Sequence, residues 1–529
     1  MRVSMLSMKR AMTTTMMTRG GKSSSSSSSL LWRPIGTLAS SAGIGYRVHS
    51  GIGSDPSMIA ANDRNNNNRR IPKTTFAAQS SLSSFSSKAM EDEYGEMTSD
   101  GNTYVESNFV LENGTVLEEA QLRYQTYGQL NETTRDNVLV VCHALTGNAS
   151  LHSWWGSLLG DGLAFDTSKY YIVCCNILGS CYGSTSPQSP QPSSNNNKPY
   201  GKDFPDVSVQ DTVRLQLRLL QHELKVSSVK CVIGGSFGGM QAVEFAVQAG
   251  RSKRDDDDDT AVCADNGESW NEPTRQTSTR PHSLTNSFCL FFLFFVLVVF
   301  GVVCCLSLLL LVGNILVLCV LTGSPFVKSV VPIACGAYHT AWQIAISEAQ
   351  RQAIYADPAW SSSDPTKATK GLSVARQMGM ISYRTAQGYQ SKFGRELKDA
   401  SDKEEEDVAK YGAGAVWQAK SYLEYQGEKF LSRFDPVTYV KLTEQMDSHD
   451  VSRGRKGSVA DVLGTVEIPA LVMGIDSDVL YPLSEQEELA NGLPNSTLRV
   501  IQSDDGHDGF LLEQDQVGTN ITEFLNKLD

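Results

Sequence analysis

Residues 229–241 read Val-Lys-Cys-Val-Ile-Gly-Gly-Ser-Phe-Gly-Gly-Met-Gln, and this stretch decides the fold. The apolar run Val229 to Ile233 passes directly into glycines and then into a helical pattern, Gly238 to Val247. A short, continuous apolar run reads as a strand buried on both faces, as in a parallel sheet. Strand, tight turn and helix in succession is a unit of α/β architecture. Upstream, Asn137-Val-Leu-Val-Val-Cys142 and Tyr170-Tyr-Ile-Val-Cys-Cys175 repeat the strand pattern. Ala120 to Tyr127 alternates apolar and polar residues like a half-buried strand, and Val209 to Leu224 has helical spacing. Downstream, Pro469-Ala-Leu-Val-Met473 and Thr497-Leu-Arg-Val-Ile501 return to strand, and Asp515 to Leu528 reads as a closing helix. The stretch from Tyr338 to about Gln445 is helical and polar, with an acidic run at Glu404 to Asp407, and offers no buried strand. It reads as a helical cap (338–445) inserted before the last strands of a mainly parallel sheet. Ser184 to Asp203, rich in Pro, Ser and Asn, reads as a surface loop.

The 529 residues are 40% hydrophobic and 20% charged, ample for a large core. A net charge of -12 without a basic patch argues against a nucleic-acid partner and reads as solubility. Among the 11 cysteines, Cys142, Cys174, Cys175 and Cys231 fall inside apolar runs, where a thiol acts as a small hydrophobe. No Cys/His spacing fits zinc, so no metal is expected, and a reducing compartment is the simplest reading.

Two segments stand outside this order. Residues 1–95 carry an unbroken serine run, Ser23 to Ser29, with many Arg and Lys residues. Their only acids before Glu91 are Asp55 and Asp63. That is the composition of an organelle transit peptide, for mitochondrion or plastid, rather than of a secretory signal. An unaddressed disordered leader on a cytoplasmic protein is the alternative. Order begins near Tyr104. Residues 251–322 interrupt the α/β text with five aspartates, Asp255 to Asp259, and an almost wholly apolar stretch from Phe288 to Leu321. A membrane-spanning helix needs about 20 apolar residues, so 288–321 is long enough for one span. The flanks favour sequence foreign to the fold. Ala246 to Gly250 ends a helix and Ser324 to Ile333 starts a strand, and joined directly they make an ordinary helix-loop-strand step. The α/β domain is therefore expected over 104–250 and 323–529.

Gly234-Gly-Ser-Phe-Gly238 has the form G-x-S-x-G. Between a strand and a helix, that pentapeptide forms the nucleophile elbow of α/β-hydrolases, which lifts the serine hydroxyl clear of the sheet. A phosphate-binding loop would need Lys-Ser or Lys-Thr after the glycines, and Gly239-Met240-Gln241 stands there instead. Ser236 needs a base. Of eight histidines, His507 lies in a polar loop, Ser503-Asp-Asp-Gly-His-Asp508, between the last strand and the last helix. That placement keeps the order Ser, Asp, His. The acid should follow the strand before it, where Asp476 and Asp478 both qualify. Acyl transfer also needs an oxyanion hole. The Phe237 amide and the loop Cys142-His-Ala-Leu-Thr-Gly147 are the candidate donors, with His143 read as a structural loop residue.

From about Tyr104 onward, leaving out 251–322, the chain resembles homoserine O-acetyltransferases of the α/β-hydrolase superfamily. Cys142 to Gly147, Trp154-Trp-Gly156, Asn176 to Ser180 with Tyr182-Gly-Ser184, and Ile233 to Gln241 carry the likeness. Glu348 to Ile354, Gly371 to Arg376, Lys392 to Arg395, Asp476-Ser-Asp478 and Gly506-His-Asp508 extend it. The resemblance implies a triad of Ser236, Asp478 and His507, oxyanion donors at Leu145 and Phe237, and substrate contacts at Arg376 and Asp508. A guanidinium suits an α-carboxylate and a carboxylate suits an α-ammonium. It further implies acetyl-CoA as co-substrate with no permanently bound cofactor, L-homoserine as acceptor, a role in methionine biosynthesis, and a homodimer. Phe237 departs from the methionine usual in the family, which could alter the pocket wall. Three rivals stay open: serine as acceptor or succinyl-CoA as donor; an esterase or thioesterase; and a membrane-anchored hydrolase-like protein inactivated by its insert.

Overall fold

Alternate residues of the apolar runs part to opposite faces of one eight-stranded sheet. The computed structural model describes residues 100–192, 197–250, 325–397 and 416–528. All described residues lie within one unit, 84–529. The leader and the insert, including 288–321, lie outside the described residues. Among those described, no helix is long and apolar enough to cross a membrane.

The strands are β1 (Asn102–Val110), β2 (Val116–Tyr127), β3 (Val138–Cys142), β4 (Tyr171–Cys175), β5 (Val229–Gly235), β6 (Val330–Ile333), β7 (Ala470–Ile475) and β8 (Ser496–Ile501). Their order is β1-β2-β4-β3-β5-β6-β7-β8. β1 and β2 form an antiparallel edge, β2 meets β4 antiparallel, and every later pairing is parallel. Val138, Val140, Val232 and Val472 join one core, while Leu139, Val141, Ile233 and Met473 join the other. This two-faced burial is why the inner strands are continuous apolar runs.

One face is covered by α1 (Val209–Arg218) and α2 (Phe237–Ala249). Val213 and Leu217 of α1 and Met240 and Val243 of α2 join that core. Ser208 starts α1 with a reciprocal capping box, its hydroxyl accepting from Asp211 while the Asp211 carboxylate accepts from Ser208. The helical spacing read to Leu224 continues past α1 as a single π-helical segment, Leu219–Glu223. On the other face lie Trp155, Phe165 and Val517, Ile521 and Leu525 of the closing helix Gln514–Leu528.

Between β6 and β7 the described chain is helical: α3 (Ala341–Tyr355), α4 (Thr369–Tyr383), α5 (Ala386–Phe393), α6 (Gln418–Phe430) and α7 (Pro436–Asp447). A short helix at Val459–Leu463 follows, so helical structure extends past Gln445. Asp435 caps α7 by accepting from the Val437 and Thr438 amides, and Pro436 occupies the first turn, where its missing N–H costs nothing. The described chain leaves at Gly250 and re-enters at Pro325. There the Val327 N–H donates to the Ala249 carbonyl at 3.0 Å.

Candidate active site

Ser236 sits between β5 and α2 with φ 57° and ψ -123°. A positive φ at a non-glycine residue is strained, and such strain concentrates where a side chain must be presented. The turn is held by its neighbours: the Ser236 N–H donates to Ile333 O at 2.9 Å and its carbonyl accepts from Met240 N at 3.1 Å. The flanking glycines are required by space. A Cβ on Gly234 would lie 2.3 Å from the Gly238 carbonyl oxygen, and one on Gly238 would lie 2.1 Å from that of Cys142. Ser236 thus occupies the N-terminus of α2, where amide dipoles favour developing negative charge.

His507 lies in a single helical turn, Gly506–Asp508, after β8. Its Nδ1 is 2.7 Å from Asp478 Oδ2. The other carboxylate oxygen of Asp478 accepts from the Leu480 and Tyr481 amides at 2.8 and 2.9 Å. Both oxygens are therefore occupied and the carboxylate is fixed. Asp476, the alternative by spacing, instead accepts from the Ser503 N–H at 3.0 Å. Because Asp478 can only accept, Nδ1 carries the proton, leaving the Nε2 lone pair free. Nε2 is buried and without a hydrogen-bond partner among the described residues. His507 and Ser236 line one cavity, shared with Leu145, Arg376, Tyr383 and Asp508. In an unliganded site the nucleophile-base hydrogen bond is commonly open.

The loop after β3 is braced by His143, which is fully buried. Its Nε2 accepts from the Ile177 N–H at 3.1 Å and its Nδ1 lies 2.8 Å from Ala144 O. One acceptor and one donor require the neutral ring, and burial pushes the His143 pKa down to about 4. Arg433 reaches in after α6 to donate to Thr146 O at 2.8 Å. Leu145 lines the cavity, and Phe237 is the first residue of α2. The Phe237 side chain lies in the core and is not among the residues that line the cavity.

Arg376, on α4, is 3% exposed, which removes it from any surface salt bridge. Its guanidinium lies over Phe430 at 5.1 Å and Tyr383 at 6.0 Å. Asp508 is equally buried, and its Oδ2 is 2.8 Å from Arg384 Nε. Arg384 also reaches Asp505 at 2.6 Å. Tyr383 and Arg384 escaped the sequence reading, because nothing local marks the end of a cap helix as part of a site formed only in the tertiary fold. No group of His, Cys, Asp and Glu among the described residues could hold a metal ion.

The chain has counterparts among known proteins. Residues 137–277 match the family described as alpha/beta hydrolase fold. The homoserine O-acetyltransferase of Salinibacter ruber is 40% identical over 417 residues, covering 78% of this chain and 94% of the relative. In three dimensions, a homoserine O-acetyltransferase from Bacillus anthracis superposes with a TM-score of 0.58 at 19% identity, covering 80% of this chain and 97% of the other. An acetylester hydrolase from Corynebacterium glutamicum does so with a TM-score of 0.55 at 22% identity, covering 80% and 95%. At these identities the two structures establish the fold.

Proposed function

This chain belongs to the homoserine O-acetyltransferase family, and from that premise we propose how its residues carry an acetyl group to the hydroxyl of L-homoserine. The donor is acetyl-CoA. The Ser236 hydroxyl attacks the thioester carbonyl while its proton passes to His507 Nε2. The Leu145 and Phe237 amides hold the tetrahedral oxyanion, and Asp478 stabilises the imidazolium. CoA leaves as the thiol with the proton from His507, and Ser236 is left acetylated. The homoserine hydroxyl then attacks this ester, its proton goes to His507, and the product leaves as Ser236 is reprotonated. Arg376 grips the α-carboxylate and Asp508 the α-ammonium, with Arg384 holding Asp508 in place.

One observation carries this reading. His507, paired through Nδ1 with the buried Asp478 and with Nε2 making no hydrogen bond among the described residues, lines the same cavity as Ser236, Arg376 and Asp508. A plain esterase has no need of a buried cation and carboxylate facing its nucleophile. The test offers acetyl-CoA and succinyl-CoA, each with homoserine and with serine, to the purified chain. Rapid thiol release is expected only from acetyl-CoA with homoserine. Equal release without any amino acid marks a thioesterase, and preference for another pair reassigns donor or acceptor.

Further features belong to the same proposal. The enzyme acts in methionine biosynthesis as a homodimer, for which exposed apolar side chains on α3 and α4, among them Trp342, Val374 and Ile381, offer a surface. The Arg-bearing, acid-poor leader addresses it to an organelle. Residues 251–322 are foreign to the fold.

A further inference from the structure

The ring packing around His507 is more elaborate than a triad requires. Tyr481 lies against the imidazole with centroids 5.0 Å apart and planes inclined by 28°. Tyr481 also stacks with His339, at 6.1 Å and 29°. Phe510 and Tyr383 approach the imidazole at 5.5 and 6.1 Å with steeper inclinations of 66° and 42°. Tyr481 is fully buried, yet its hydroxyl makes no hydrogen bond among the described residues. A hydroxyl buried without a partner costs stability, so the position is explained by its ring rather than by its polar group. The Tyr481 backbone is committed as well, since its amide is one of the two that fix Asp478.

We propose that Tyr481 is a positioning residue whose π-face stabilises the imidazolium that His507 becomes in each half of the reaction. The inference rests on His507 being the base. An aromatic face attracts a cation lying over it, most strongly when water is excluded. In the proposed mechanism the imidazole takes up a proton, and so becomes cationic, at both tetrahedral stages. Contact with the Tyr481 face is thus stronger in the transition state than in the ground state, the condition for an interaction to raise kcat.

Other charged and titratable groups surround the same pair of rings. Asp478 bonds Nδ1, and Asp508, Arg376 and Tyr383 border the cavity, with Arg384 paired to Asp508. Cys335 and Glu485 act electrostatically on Tyr481, and His339, stacked with it, is bonded to Asp447, which also takes Arg351. All of these are unaltered by a change confined to the ring at 481.

The test therefore keeps the shape and drains the ring. Full-length protein is prepared with Tyr481→Phe, and then with trifluorinated and tetrafluorinated phenylalanine at position 481. The pH profile of kcat/KM is recorded for each. Tyr481→Phe is expected to keep the plateau within about threefold of the native protein. Successive fluorination should move the acid limb to lower pH by about half a unit to one unit in all, and lower the plateau about three- to tenfold. A limb that stays fixed through the series overturns the proposal, as does a plateau lost fully at Tyr481→Phe and not lowered further by fluorine. If instead His507→Gln leaves the profile intact, the assignment of the base fails, an outcome distinct from a fixed limb.

Discussion

The strand ends and the helical segment between β6 and β7 feed one cavity by different physical routes. Ser236 follows β5 directly, Asp478 lies three residues beyond β7, and His507 stands in the turn after β8. These groups are held by backbone: a strained turn at Ser236, two amides on Asp478, and a Gly506 amide tied to Ser477 Oγ at 3.0 Å. Arg376 sits within α4, Tyr383 at its last residue and Arg384 just beyond. Arg376 is held by aromatic faces and Arg384 by ion pairs. In the proposed mechanism the strand ends supply the reaction centre, fixed by contacts between successive strand ends, while the helices supply a charge that selects what enters. Breaking the two regions separately should produce different kinetic signatures.

The largest effect belongs to the strand ends. Ser236→Ala should lower kcat by about 10⁴-fold or more with melting temperature little changed. Asp478→Asn should cost about 10³- to 10⁴-fold, because the amide no longer holds the imidazole in its working tautomer. Asp476→Asn, two residues away, should cost less than tenfold, since Asp476 braces only the Ser503 loop. Equal losses at the two aspartates would dissolve the distinction the geometry draws between them.

The helical region should fail in one half-reaction only. Arg376→Met is expected to lower kcat/KM for homoserine about 10²- to 10³-fold, the cost of a charge-assisted, bidentate contact. Acetylation of Ser236, followed as the burst from an activated acetyl ester, should stay within about fivefold of native. Arg384→Met should raise the KM for homoserine about tenfold by freeing Asp508, and destabilise the fold because Asp508 stays buried without that cation. A burst that falls in step with the homoserine reaction would place Arg376 in the reaction centre itself.

This division also separates what the sequence reveals from what it conceals. Strand, elbow and base are local patterns: Val229 to Ile233 is apolar because both its faces are buried, and Gly234 and Gly238 are glycines because a Cβ at either would strike backbone. Asp476 and Asp478 could not be separated by spacing, because the choice depends on how the turn after β7 directs each carboxylate. Tyr383 and Arg384 stayed hidden for the same reason, since a helix end becomes part of a site only after it packs over the sheet. β1 was also missed as a strand. Its burial alternates irregularly at an antiparallel edge, where apolar Val105 and Val110 are exposed and only Tyr104 and Phe109 are buried.

A smaller effect concerns the loop that carries Leu145. Burial lowers the pKa of His143 to about 4, and that of His449, bonded to Gly336 O, to about 4 as well. Both depart downward from the ordinary 6.5. Between these limits the unfolded chain binds a proton that the folded chain refuses. The stability from each neutral ring is therefore complete above about pH 6.5 and lost as pH falls toward 4, at up to about 1.4 kcal/mol per pH unit. His143→Gln can still accept from Ile177 and donate to Ala144 without titrating. Denaturant unfolding at pH 7 and pH 5 should show a smaller acid loss in this variant than in the native protein. An unchanged difference would mean that His143 is protonated in the folded state, and its place as a neutral brace of the oxyanion loop would fall.

The smallest expected effect is at the junction between α2 and β6, where 251–322 interrupts the text. Ala249 ends the helix that begins at the nucleophile, and its carbonyl accepts from the Val327 N–H at 3.0 Å. Val229, which opens the strand before Ser236, donates from its amide to Phe326 O at 2.8 Å. The two ends of the interruption are therefore already joined through the structure, and a connection of a few residues can close them. Joining Gly250 directly to Gly323 should leave kcat/KM for homoserine within about twofold. Closing a shorter loop also costs less entropy, so the melting temperature should hold or rise by a few degrees. A loss of activity with the fold intact would show that the interruption supports the elbow helix. Ser236 would then depend on a third region besides the strand ends and the helices.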